Sequence, residues 1–373
     1  MTDTATQILP PSTYFDAGWY EREQLELFSR TWRYAGTTDD LDRPGSYRSI
    51  QAGRHPLVVV RGQDGELRAF HNVCRHRGTA VLSGSGRVEK QIVCPYHNWT
   101  YGLDGCLRAV PQRNEVDRHL DRTKLGLHPA TVAVWRGLVF VHPDPGPEPL
   151  DDWLGDLPER MAPHDPLRLV QVAADVHHIK ANWKVFMENA LDNYHLGYVH
   201  KDTLAGYDHK RQEQHACGDR HWFFYEPPLK PGRVTPREAG LKPIATEPRW
   251  YGSSFGLFFP NLFVLSSATL WASVEVTPTG PETTTFEMRT RVLPGQGGRL
   301  AAAGLAEAVL GLGRRILRKQ PTYDLIEEDV FCCEAVQTGI RSPYFSVGPI
   351  AYRYERGIQA FQRNVLDYVP LER

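Results

Sequence analysis

The feature that most constrains this chain is a pair of short metal-capable knuckles, Cys74-Arg75-His76 and, after seventeen intervening residues, Cys94-Pro95-Tyr96-His97. Each offers one soft thiolate and one imidazole. A lone Cys or His is more often a buried small hydrophobe or a satisfied polar group than a ligand, but the matched pair changes that reading. Zinc fingers also use two Cys and two His, yet they usually pair Cys with Cys and His with His. Mixed knuckles suit a [2Fe-2S] cluster in which two cysteines hold one iron and two histidines the other, two loops each delivering one ligand of each kind. Gly78 and the Pro95 turn permit the close backbone approach this needs. Six cysteines in 373 residues are too few for a disulfide scaffold, which favours metal binding in a reducing compartment.

A second constellation lies in Asn182–His195, a segment with helical spacing in which Asn189, Asp192 and His195 are three apart and share a face. His200 follows five residues later, about 140° round an ideal helix, and converges only if the helix ends or loosens after Gly197. Two histidines plus a carboxylate form the facial triad of non-haem Fe(II) enzymes, with positions left open for dioxygen and substrate. The carboxylate is sought in Glu327-Glu328-Asp329 on a predicted helix. Asp329 is chosen, with Asp324, Glu327, Glu328 and Glu334 chemically competent beside it. A cluster that delivers electrons needs an acceptor, and this second site supplies one.

The chain is too long for one ordinary core and divides into two. Tyr14–Ala35 has helical spacing. From Tyr47 short β-type runs follow at Leu57–Arg61, Leu67–Asn72, Gln91–Val93 and Leu138–Val141, and His142–Pro149, with four prolines, reads as a linker. Beyond it, strands are expected at Leu169–His178, Leu257–Leu265, Leu270–Thr277 and Thr283–Leu293. Helices are expected near Ala181–Asp192, Arg299–Arg318, Tyr323–Gln337 and Glu355–Tyr368. The last has an apolar stripe of Ile358, Phe361, Val365 and Tyr368. The expected domains are a helical segment over 1–38 packing on the catalytic domain, a β domain over 39–148 and an α+β domain over 149–373. Aromatic residues Tyr251, Phe255, Phe258, Phe259, Phe263 and Trp271 are candidates for a pocket wall, able to hold a quaternary ammonium or stack on a ring.

A net charge of −1 gives no electrostatic reason to expect nucleic acid or anionic membrane as a partner. No run approaches the roughly 20 apolar residues that span a bilayer, and Met1–Pro10 is polar without a charged flank, so a cytoplasmic protein is expected. No Gly-x-Gly-x-x-Gly follows a strand, so a nicotinamide cofactor would act only through another protein.

Taken together, these motifs resemble the α subunits of Rieske ring-hydroxylating oxygenases, particularly the choline monooxygenase-like, quaternary-amine branch. The resemblance runs nearly end to end, through Leu9-Pro-Pro-Ser-Thr-Tyr14, Phe70–Gly78, Val93–His97 with Trp99, Asp192–His200, Glu328-Asp-Val and Cys333-Glu-Ala-Val-Gln337. It implies an all-β Rieske [2Fe-2S] domain followed by a helix-grip (SRPBCC/START-like) catalytic domain, an α+β architecture with an antiparallel sheet and flanking helices. It implies that Cys74, His76, Cys94 and His97 bind the cluster and that His195, His200 and Asp329 bind mononuclear Fe(II). Asp192 takes the family's bridging role, from His195 to His97 of a neighbouring subunit in a head-to-tail homotrimer. Asn189, Tyr251, Phe255, Phe263 and Trp271 are its pocket candidates. It further implies dioxygen as co-substrate, electrons from a separate NAD(P)H-dependent reductase with or without a ferredoxin, and a small-molecule substrate. That substrate is an amine or, alternatively, an aromatic ring or natural product. An electron carrier without mononuclear iron is the reading from another class. Two departures stand out: Asn98 occupies a position commonly Gly, and the step from Asn189 to Asp192 is shorter than in naphthalene-type members.

Overall fold

The computed structural model describes residues 6–116, 119–161, 164–235, 238, 240–299 and 325–371. Two compact units emerge, one of Arg22–Trp153 and one of Met1–Glu21 with Leu154–Arg373.

In the first unit, β1 (Arg33–Thr37), β2 (Ser46–Ala52), β3 (His55–Arg61), β4 (Leu67–His71), β5 (Ser85–Arg87), β9 (Pro129–Trp135) and β10 (Leu138–His142) form a seven-stranded sheet, ordered β1-β10-β9-β4-β3-β2-β5. β6 (Gln91–Val93), β7 (Thr100–Gly102) and β8 (Leu107–Ala109) form a separate three-stranded sheet. Side-chain alternation sorts β3 onto two cores. Val58 and Val60 pack with Phe70, Ile92, Trp99, Tyr101, Cys74 and Cys94, whereas Leu57 and Val59 pack with Ala35, Leu41, Val139 and Val141. Short helix α2 (Arg113–Val116) belongs to this unit, and α1 (Ala17–Arg22) and α3 (Leu150–Leu154) fall at its two boundaries along the chain.

The expected helix over Tyr14–Ala35 is corrected. A 3-10 turn at Pro11–Tyr14 precedes α1, whose helix runs on as a π turn over Glu23–Phe28, and Arg33–Thr37 is a buried strand. Arg33 and Tyr34 pair with Val141 and Phe140, so tertiary strand pairing overrides the helical spacing. The proline linker is also narrower than expected, because His142 ends β10 and is buried.

In the second unit, β11 (Val170–Ile179), β12 (Glu213–Cys217), β13 (His221–Glu226), β14 (Ser253–Phe258), β15 (Leu262–Ser266), β16 (Trp271–Gly280) and β17 (Thr283–Val292) make an antiparallel sheet, ordered β11-β17-β16-β15-β14-β13-β12. The single strand expected over Leu257–Leu265 is a hairpin instead, β14 paired with β15. Pro260 lies at its turn, since a proline has no N–H for a central ladder. Helices α4 (Leu157–Arg160), α5 (Trp183–Leu191), α6 (Leu196–Val199), α7 (Leu325–Ile340) and α8 (Tyr352–Tyr368) complete the unit. The helix expected over Arg299–Arg318 lies almost wholly outside the described residues. Phe186 of α5 stacks on Phe286 at 4.6 Å and meets Phe263 edge-on at 6.4 Å, which fixes the sheet face that α5 covers. On α8, Ile358, Phe361 and Val365 are buried as the stripe requires. The architecture is α+β, an all-β unit and an antiparallel sheet with flanking helices.

Candidate metal centres

The first knuckle follows β4, and the second is the tip of the β6–β7 hairpin, where Val93 pairs with Thr100. The two loops share one hydrogen-bond pattern. Gly78 N–H donates to Cys74 O (3.0 Å) and Asn98 N–H to Cys94 O (3.1 Å), while Cys74 N–H donates to Thr79 O and Cys94 N–H to Trp99 O, both at 2.8 Å. Each turn needs a left-handed residue four places after its cysteine, and Gly78 (φ 78°) and Asn98 (φ 56°) supply it. Asn is among the few side chains that adopt this region readily, which accounts for a non-glycine residue at position 98.

Cys74 and Cys94 are buried, whereas His76 is exposed and His97 half-buried. The two imidazole centroids are 4.6 Å apart, and His76 stacks on the Trp99 ring at 5.0 Å. This arrangement, thiols inward and imidazoles outward, fits a [2Fe-2S] cluster that Cys74, Cys94, His76 and His97 would hold. Burial pushes the Cys74 thiol up, against the Tyr101 hydroxyl 3.2 Å from its sulfur. Slight desolvation and the neighbouring His97 and Arg77 lower His76, a direction that favours the neutral form that ligates metal. Tyr101, whose hydroxyl also accepts from Arg75 N–H at 3.0 Å, is a neighbour that sequence reasoning missed.

The second centre is built where α5 stops. The expected continuous helix to His195 is corrected: α5 ends at Leu191, and Asp192 is extended (φ −85°, ψ 102°). His195 and His200 are the N-cap and C-cap of α6. The break thus lies before His195 and not after Gly197, and it brings the two histidines together. Asp192 Oδ1 stabilises the reversal by accepting from Tyr194 N–H at 2.6 Å and His195 N–H at 3.3 Å.

Asp329 arrives from α7. Among the described residues, His195, His200 and Asp329 form the one group whose donor atoms all lie within 4.8 Å of one another. His195 Nε2 is 3.2 Å from His200 Nε2, and Asp329 Oδ1 is 3.0 Å from His200 Nε2 and 3.5 Å from His195 Nε2. Three ligands about 2.1 Å from one metal and at right angles would be about 3.0 Å apart, so the set fits a facial site. The outer nitrogens face carboxylates: His200 Nδ1 is 2.8 Å from Glu328 Oε2, and His195 Nδ1 is 3.1 Å from Asp192 Oδ2, without full hydrogen-bond alignment. Ionised carboxylates only accept, so they hold the proton on Nδ1 and turn both Nε2 lone pairs inward.

Burial opposes charge on His195, but Asp192 and Asp329 outweigh it and push the group up to about 9. His200 is likewise raised despite burial, by Asp329 and Glu328. Burial would raise Asp329, yet the two histidines hold it below the usual carboxylate range. The pocket therefore favours a cation, and a bound metal would replace these protons.

Sequence reasoning offers Glu328 only as an alternative ligand; the structure puts it behind His200 together with Thr203, whose hydroxyl donates to the same oxygen at 2.9 Å. The adjacent pair Glu328-Asp329 was the available signal. Asn189 Nδ2 donates to Asp329 Oδ1 at 3.2 Å and lies 3.4 Å from His195 Nε2. Phe255 and Phe263, with rings 4.7 Å apart, share the sheet face that Phe186 covers. Trp271 pairs across the ladder with Ser266, so strand alternation turns it to the face away from α5. Phe258 shares that opposite face, whereas Phe259 lies in the β14–β15 turn and Tyr251 precedes β14 outside the sheet.

Residues 31–122 match the Rieske [2Fe-2S] domain, and residues 166–371 match the ring hydroxylating alpha subunit (catalytic domain) family. The chain is 30% identical to the chloroplastic choline monooxygenase of Amaranthus tricolor over 94% of its length and 76% of that relative's. It is 36% identical to the glycine betaine monooxygenase oxygenase subunit of Pseudomonas aeruginosa over 52% of its length, a stretch spanning about half (45%) of that relative. The fold matches a solved quaternary ammonium Rieske monooxygenase, whose report concerns carnitine oxidation and inter-subunit electron transfer, with a TM-score of 0.79 at 24% identity, covering 98% of this chain and 96% of that one. With two knuckles in one unit and two histidines meeting a carboxylate in the other, the chain belongs to the ring-hydroxylating oxygenase α-subunit family and carries both its Rieske and its catalytic domain.

Proposed function

We propose that this chain is the terminal oxygenase of a Rieske non-haem iron system. It uses dioxygen and electrons from a separate NAD(P)H-dependent reductase to hydroxylate or oxidatively N-dealkylate a small amine. The observation that carries the reading is the convergence of His195, His200 and Asp329 with 3.0 to 3.5 Å between donor atoms. In this reading Cys74, His76, Cys94 and His97 hold the cluster, and His195, His200 and Asp329 hold the iron. When bound, the cluster supplies single electrons and the iron supplies open positions for dioxygen.

The protein's own residues do the rest. Asp192 and Glu328 retain the Nδ1 protons and orient the imidazoles. Phe186, Phe255 and Phe263 give an apolar, water-excluding wall, and their ring faces suit a quaternary ammonium through cation–π attraction. Within the same proposal Asp192, with 22% of its side chain exposed, reaches His97 of a neighbouring copy in a head-to-tail trimer. No helix among the described residues is long and apolar enough to cross a membrane, and a cytoplasmic setting is part of the proposal.

The named relatives act on choline and glycine betaine, and this favours an amine over an aromatic substrate. The same aromatic wall supports the second reading, a ring or natural-product hydroxylase. Reconstituted protein with a generic reductase should oxidise at least one of choline, glycine betaine or carnitine in preference to aromatic acids, with about three irons per chain. Two irons per chain and no oxygenated product would instead identify an electron carrier.

A further inference from the structure

Asp329 must meet two histidines more than a hundred residues earlier in the chain, and helix sliding is coarse beside what a metal tolerates. A one-residue slip of α7 moves its carboxylate about 1.5 Å along the axis, whereas ligand distances hold within about 0.2 Å. Something must therefore set the register of α7 against α5.

One stripe of α7 does this. Asp329, Cys333 and Gln337 are four residues apart and share a face. Asp329 accepts from Asn189 Nδ2 at 3.2 Å, and Cys333 Sγ lies 3.6 Å from Asn189 Oδ1. Two turns beyond Asp329, the buried Gln337 uses both ends of its amide on backbone: Oε1 accepts from Asn182 N–H (2.9 Å), and Nε2 donates to Tyr14 O (3.1 Å). Asn182 is the N-cap of α5.

Tyr14, the last residue of the Leu9–Tyr14 motif, is itself pinned. Its hydroxyl donates to Glu188 Oε1 of α5 at 2.6 Å and accepts from Gln362 Nε2 of α8 at 3.1 Å. Lys184 Nζ of α5 donates to the neighbouring Thr13 O at 2.9 Å. Gln362 Oε1 also accepts from Ile8 N–H at 2.7 Å, so the segment is held along its length. A single residue thus joins α7 by its carbonyl to α5 by its hydroxyl.

We infer that Tyr14 and Gln337 are positioning residues for the mononuclear metal site: they lock α7 against α5 in the register that lets Asp329 reach His195 and His200. This rests on the metal-site reading above and gives the opening motif a role in it.

The test is the Co(II) dissociation constant of full-length protein that keeps its cluster but lacks the mononuclear iron, read by absorbance and paired with denaturant midpoints. Gln337→Met and the milder Tyr14→Phe should each weaken Co(II) about 10-fold, the size typical of lost outer support. Val365→Ala, a core change on α8 away from this stripe, should cost comparable stability and leave the constant within about twofold. Wild-type-like Co(II) binding by both Gln337→Met and Tyr14→Phe overturns the inference, as does equal weakening by Val365→Ala. Wild-type protein that binds no Co(II), or an Asp329→Asn variant that binds it as tightly as wild type, overturns the metal-site reading itself.

Discussion

Glu328→Gln isolates the charge behind His200. The substitution keeps shape and a carbonyl oxygen for both His200 Nδ1–H and the Thr203 hydroxyl, now at 2.8 and 2.9 Å from Glu328 Oε2. A hydrogen bond to a charged acceptor contributes about 1.5–3 kcal/mol and a neutral one about 0.5–1.5 kcal/mol. Only 17% of the Glu328 side chain is exposed and His200 is 1% exposed, so screening removes little of the difference. The change should therefore cost about 1.4 kcal/mol, or about 10-fold in metal affinity. Glu328→Ala, which removes the acceptor altogether, should cost more, towards about 100-fold. The assay is Co(II) titration, at pH 7, of protein that keeps its cluster but lacks the mononuclear iron, with Asp329→Asn as the reference for a lost ligand. Affinity within twofold of wild type in Glu328→Gln would refute the argument. A loss equal to that of Asp329→Asn would refute it differently, by making Glu328 a ligand.

Asp192→Ala should weaken the mononuclear metal as Glu328→Ala does, yet with that site saturated by added iron it should still nearly abolish reductase-driven turnover, and substantial remaining turnover would sink the bridging role. Glu188 provides a pH test: burial pushes it up to about 7, against the Tyr14 and Gln362 hydrogen bonds that pull it down. The native state thus binds a proton that the unfolded chain has released, so the contribution is full below about pH 4.5 and is lost as pH rises through about 7. Glu188→Gln should remove a loss on the order of 3 kcal/mol across that window, and denaturant midpoints at pH 5 and pH 8 that fall equally in both proteins would contradict it. At Asn98, held at φ 56°, Gly should be tolerated while Val costs about 1–2 kcal/mol; a Val variant as heat-stable as wild type would contradict the strained-turn account.

Local features were legible because covalent geometry sets them. The Cys-x-His and Cys-x-x-His intervals, the strands β6 and β10, and the stripe on α8 were read from spacing alone, and each is a matter of period. Spacing also put His195 and His200 in one short segment, though not the break at Asp192 that lets them converge. The helix expected over Tyr14–Ala35 failed where Arg33–Thr37 found a strand partner in β10, a residue set more than a hundred positions away.

By itself the sequence determined the donor types, their intervals and the two-domain order, because these are properties of the chain and its neighbours in line. Tertiary structure alone decided which of two adjacent acids faces the histidines, Asp329 inward and Glu328 behind His200, since neighbours on a helix point about 100° apart. It likewise turned Phe263 towards α5 and Trp271 away. A sequence carries the period of each element, but the face that becomes the inside is chosen by what packs against it.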